Sequence, residues 1–137
     1  MKIESALAAH LKADPLIPVG ERVYRDVAPT GALLPRIVFH RIAGIPSRHQ
    51  TGASGLVDAF VQVDCWADDP EEASVLGETV ETSLDHLTDQ VFGARGNLIT
   101  IQSIVLEDSF GDHEPLQDSS GQALYRTSMS FRVWYIV

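Results

Sequence analysis

The chain has 137 residues, 45% of them hydrophobic and 21% charged, with nineteen acids against ten bases and a formal charge of −9. That length fits a single domain over 1–137, and the mix is that of a globular chain rather than a disordered one. One cysteine, Cys65, excludes an internal disulfide framework and a four-cysteine zinc site. No long apolar run follows Met1-Lys2-Ile3-Glu4, so neither a signal peptide nor a membrane span is expected.

The acids are unevenly spread. Between Arg48 and Arg95 there is no Lys or Arg, while ten Asp and Glu fall there. Gripping nucleic acid takes cations that displace phosphate counterions, so this composition argues against DNA binding. The acidic surface either meets a basic partner, lets DNA pass without holding it, or is simply solvated.

In chain order, Ile3, Leu7 and Leu11 with Ala6 predict a helix over 3–13, stopped by Pro15 and Pro18. Residues 19–35 read as irregular, with a short extended piece at Val23 and Tyr24. Ile37, Val38, Phe39 and Ile42 predict a strand over 36–42. The Gly, Pro and Ser content of 43–55 predicts a long loop, either functional or a bare hairpin tip. The clearest strand is 56–67, where Val57, Ala59, Val61, Val63 and Cys65 make a core face. Its other face mixes Leu56, Phe60 and Trp66 with Asp58, Gln62 and Asp64, and is expected to be half covered. Asp69 as cap, Pro70 at the first position and Glu72 at the third predict a helix start. Ala73, Leu76, Val80, Leu84 and Leu87 carry that helix over about 70–88, with an acidic back; Gly93 and Gly96 mark the turn after it. Strands follow at 98–106 and 122–136, separated by a polar acidic connection over 107–121. In the last strand Tyr125, Met129, Phe131, Val133 and Tyr135 alternate with Arg126, Ser128, Ser130, Arg132 and Trp134. The expected fold is α+β, in the order α-β-β-α-β-β: two helices on one face of a mainly antiparallel four-stranded sheet with long hairpin loops.

Sites for chemistry are hard to find. His10, His40, His49, His86 and His113 include no i, i+4 pair; a spatial cluster of His40, His49 and Cys65 is the one metal arrangement to consider, against scattered structural histidines. Gly52-Ala53-Ser54-Gly55-Leu56 fails as a nucleophile elbow, because Leu56 stands where the second glycine is required. Cys65 beside valines reads as packing rather than as an activated thiolate. Asp64, Asp68 and Asp69 could hold a hard cation, or serve solvation and helix capping. No phosphate-binding glycine motif occurs. No catalytic, cofactor or metal site is assigned. What remains is association: Phe60, Trp66 and Trp134 lie among polar groups, as interface aromatics do, or under partial cover from the chain's own loops.

The chain resembles the tail-completion (tail-terminator) family of long-tailed phages, prophages and gene-transfer particles. The resemblance runs nearly end to end: the first helix, Arg22-Val23-Tyr24, Ala28-Pro29, Leu34 through Phe39, Ser54-Gly55-Leu56, Val61-Gln62-Val63-Asp64-Cys65-Trp66-Ala67, the helix from Pro70, and Arg126 through Trp134. The Val-Gln-Val-Asp-Cys-Trp block before an acidic helix start is the most specific part. The resemblance implies a structural virion protein, not an enzyme and without cofactor. It would form a ring, usually of six subunits, at the head-proximal end of the tail tube, stop tube growth and offer a docking surface to the head. Implied partners are further copies of the chain, the major tail tube protein and a head-completion or stopper protein, with DNA passing through the channel unbound and no membrane involved. Its implied place is the tail–neck junction of the virion, after assembly in the host bacterial cytoplasm. Phe60, Trp66, Arg126, Arg132 and Trp134, with Arg48 and His49 in the 43–55 segment, are the expected interaction residues. Other readings are a different neck component, such as a head-tail stopper or minor tail protein, or a small acidic protein binding a ligand in a cleft.

Overall fold

A computed structural model describes residues 3–29, 31–49, 52–85, 87–94, 97–111, 116–117 and 123–136, with the side chains of 41–49, 52–55, 94, 97, 116–117 and 123 outside the description. The elements are α1 (Ile3–Ala13), β1 (Val23–Arg25), β2 (Arg36–His49), β3 (Gly52–Ala67), α2 (Pro70–Leu84), β4 (Thr88–Ala94), β5 (Asn97–Gly111), β6 (Leu116–Gln117) and β7 (Ala123–Ile136). Six strands form one curled sheet in the order β1-β2-β3-β7-β5-β4, and β6 pairs with β7 off that path. The β1–β2 pair is parallel and the other pairs are antiparallel.

The expected four-stranded, mainly antiparallel α+β sheet is therefore wrong: the sheet is six-stranded and mixed, and the fold is mainly β. Val23–Arg25 joins the sheet as β1, and its parallel pairing with β2 makes the sheet mixed; three further differences complete the correction. Residues 43–49 continue β2 and residues 52–55 continue β3, paired from Ala43↔Phe60 to His49↔Gly52 rather than looped. Beyond Phe39 the outer side of β2 has no β1 partner, because β1 pairs only with Ile37, Val38 and Phe39. Pro46 therefore sits on an edge, where a missing N–H is tolerated. Second, α2 stops at Leu84, with Asp85 extended, and β4 begins at Thr88. Third, β5 runs on to Gly111 through a register shift between Leu106 and Asp108.

One core fills the inner side of the sheet. Ile37, Phe39, Val61, Val63, Cys65, Ile99, Ile101, Met129, Phe131 and Val133 supply it from the strands, and Ile3, Leu7, Leu11, Leu76, Val80 and Leu84 from the helices. Burial pushes the Cys65 thiol pKa far up, with the neighbouring Asp64 charge adding to it, so the thiol stays protonated and inert. The stripe spacing that predicts α1 is realised, with Ile3, Ala6, Leu7 and Leu11 all buried. At α2 the capping expectation holds only in part. Pro70 opens the helix and the Asp69 carbonyl accepts from the Ala73 N–H at 3.0 Å, but the Asp69 side chain makes no capping bond. The other end is tied by Asp85, whose Oδ1 accepts the Leu106 N–H at 2.9 Å, beside the β5 register shift.

Candidate functional site

Every second residue of β3 and β7 points away from the core, and the register aligns those residues in rows. Arg36, Trp66 and Arg126 form one row across β2, β3 and β7; Phe60 pairs with Arg132, and Asp58 with Trp134. All five of the described expected residues, Phe60, Trp66, Arg126, Arg132 and Trp134, thus share the outer face, each half-exposed. Arg48 and His49 lie at the far end of β2, paired with Ala53 and Gly52 in the backbone; their side chains fall outside the described ones.

Two arginine–aromatic stacks organise this face. The Arg132 guanidinium lies 4.7 Å from the centre of the Trp134 ring and 5.5 Å from that of Phe60. It donates from Nε and Nη2 to the two carboxylate oxygens of Asp58, the Nε bond being 2.9 Å. That two-pronged hydrogen bond holds the Asp58 carboxyl below the usual carboxylate range and raises Arg132. Arg126 lies 5.4 Å from the Trp66 ring and 6.0 Å from Phe110. Its Nη1 is 3.9 Å from the buried carboxylate of Asp64. Asp64 also accepts from Gln62 Nε2 at 3.0 and 3.2 Å and lies 3.5 Å from His40 Nε2. His40 Nδ1 in turn is 3.7 Å from Asp26. A cleft of about 370 Å³ between the 26–28 segment and the sheet is lined by Arg36, His40, Asp64, Trp66 and Arg126.

The sequence reading missed Phe110 and His40 as members of this face. Phe110 lies in the 107–121 stretch read as a connection; it is paired with Ser128 and is half-exposed. A continued alternation past Leu106 is the signal for it, interrupted by the register shift. The structure separates the possible metal set: His40 faces outward and Cys65 into the core, while the His49 side chain is outside the described ones. Asp64 is committed to Gln62, His40 and Arg126 rather than joined with Asp68 and Asp69. Among the described residues no helix is long and apolar enough to cross a membrane. Among its described side chains this arrangement offers no nucleophile beside a base. It offers flat aromatic area, fixed charges and half-exposed backbone-ordered rows, which suit protein contact.

A comparison with curated proteins finds no match. Among solved structures, a chain from a structure described as a virion of native gene transfer agent (GTA) particle shares the fold. Its TM-score is 0.73 at 18% identity, over 98% of this chain and 95% of that one. The family model described as Tail completion protein gp17 matches residues 5–136. With the match spanning nearly the whole sequence, the chain belongs to the tail completion protein gp17 family.

Proposed function

We propose that this chain forms a ring, of six copies, at the head-proximal end of a phage or phage-like tail tube. The ring ends tube growth and presents the docking surface for a head-completion or stopper protein. It works as structure rather than as an enzyme, at the tail–neck junction, after assembly in the host cytoplasm. Tube protein, neck protein and neighbouring copies are its partners, and DNA passes through without specific binding.

The observation that carries this reading is the outer sheet face, in a chain of the tail completion family. Exposed arginine–aromatic stacks stabilise a fold only slightly. Five large or charged side chains ordered on one face are therefore better accounted for by what they meet than by what they add to the monomer. A ring subunit meets two neighbours, and roughly 800 Å² on each is the usual requirement. Phe60, Trp66, Arg126, Arg132 and Trp134, with Arg48 and His49 at the β2–β3 hairpin end, supply such contacts.

Electron microscopy of particles from the parent genome lacking this gene tests the role. Filled heads beside unattached tails, many of them overlong, are expected. Normal tailed particles overturn it.

A further inference from the structure

A groove of about 610 Å³ lies between one flank of α2 and the turn that follows α1, lined by Asp14, Leu16, Glu78, Thr79, Thr82 and Ser83. Its hydroxyl groups have already committed their protons. Thr79 Oγ1 donates to the Val75 carbonyl at 2.9 Å, and Thr82 Oγ1 to the Glu78 carbonyl at 3.0 Å. His10 Nε2 is 3.0 Å from both the Ser83 carbonyl and Ser83 Oγ. A carbonyl can only accept, so Nε2 carries the proton, His10 is no base for Ser83, and the Ser83 hydroxyl gives its own proton to Asp14. The Leu16 N–H donates to Asp14 Oδ1 at 2.9 Å, and with the Ser83 bond it holds the Asp14 carboxyl below the usual carboxylate range. The groove therefore offers hydrogen-bond acceptors without donors, and two of its lining groups are carboxylates. We infer that this groove takes a lysine or arginine side chain from a virion protein other than this chain; the inference deepens the assembly role proposed above and rests on it.

Chemistry and charge name that occupant. An ammonium or a guanidinium is all donor and has no acceptor, which complements this set of groups. The carbon stem of either can lie along Leu16, which is 76% exposed at the groove. No Lys or Arg occurs between Arg48 and Arg95, and none lines the groove among the described residues, so the local field favours an arriving cation. The volume falls within the roughly 300–1,000 Å³ of ordinary ligand clefts, ample for one such side chain. A second copy is the poorer source. Lys12, Arg22, Arg25, Arg36, Arg126 and Arg132 each hold an acid or a carbonyl of their own chain. Copies at −9 also repel one another.

Photo-cross-linking in assembled particles tests this. With p-benzoylphenylalanine in place of Leu16, irradiation is expected to join the chain to another virion protein, at a peptide with Lys or Arg within a few residues of the link, as read by mass spectrometry. A link to another copy of this chain, a link to a segment without a base, or no link in particles of normal copy number overturns the proposal. As a second readout, Glu78→Lys should lower incorporation into particles about tenfold with Tm unchanged, since Glu78 is exposed on its helix. Glu71→Lys makes the same change of charge on α2 outside the groove and should leave incorporation unchanged. Equal loss from both variants would make net charge the cause and overturn the proposal, as would native incorporation of Glu78→Lys. Normal tailed particles in the absence of the gene overturn the assembly role and this contact together.

Discussion

Asp58 and Arg132 show how one pair serves both fold and face. Arg132 is fixed by two hydrogen bonds to Asp58 and by rings on either side, so it is presented in one orientation. Because the folded pKa of Asp58 is depressed, its contribution to stability is complete above the ordinary carboxylate value near 3.9 and is lost as pH falls through the lower folded value. Asp58→Asn should therefore be less stable than the native chain at neutral pH, and the gap in Tm should narrow below about pH 4. A gap that stays constant with acid would mean the pair carries no proton linkage. Trp66 belongs to the same scale. It is half-exposed, so Trp66→Ala should impair particle assembly more than it lowers Tm; an unfolded variant, or fully normal tails, would count against the interface role. These outer residues are legible in sequence because strict alternation in 56–67 and 122–136 assigns each side chain to a face. Phe110 is not, because the register shift at Leu106 breaks the alternation just before it.

Helix α2 lies close against β7 at Gly77. A Cβ at Gly77 would lie 2.6 Å from Thr127 Cγ2. Thr127 cannot easily turn away, since it is β-branched and its Oγ1 donates to the Ala73 carbonyl at 3.0 Å. Gly77→Ala should gain helix propensity yet lose more to overpacking, for a net destabilisation of about 1 kcal/mol. Adding Thr127→Ser, which removes the methyl, should recover most of the loss in denaturant unfolding; no recovery would move the clash elsewhere. Both helices and the central parts of the two long strands follow from periodicity and breakers, although α2 ends at Leu84 rather than near 88 and β3 begins at Gly52 rather than Leu56. What escapes the sequence is β4, because its ends carry turn signals: Asp89 has φ 54 and Gly93 φ 103, and the segment begins within the run of apolar spacing that extends α2 on paper. Leu87 fits that helical spacing but packs against the core from beyond the helix end. Likewise Gly44 and Pro46 are loop residues by composition, and only the absence of a β1 partner at that level lets them remain in a strand.

At the scale of the whole molecule, the formal charge of −9 sets a condition on the proposed ring. Copies brought together carry like net charge, and that repulsion acts over distances longer than the contacts themselves. Salt shortens its reach, from about 30 Å at ~0.01 M to about 8 Å at ~0.15 M. Pairs buried in a contact between copies are screened much less. Raising salt should therefore remove more repulsion than attraction, and the fraction of chain in rings should increase over that range. Sedimentation velocity at fixed protein concentration reads this directly. Assembly that weakens steadily with salt would mean that screened surface attraction, rather than net repulsion, governs association. The same net charge suits the proposed DNA channel: an acidic wall gains little counterion-release energy from a duplex, so a passing duplex would meet no sticking point there.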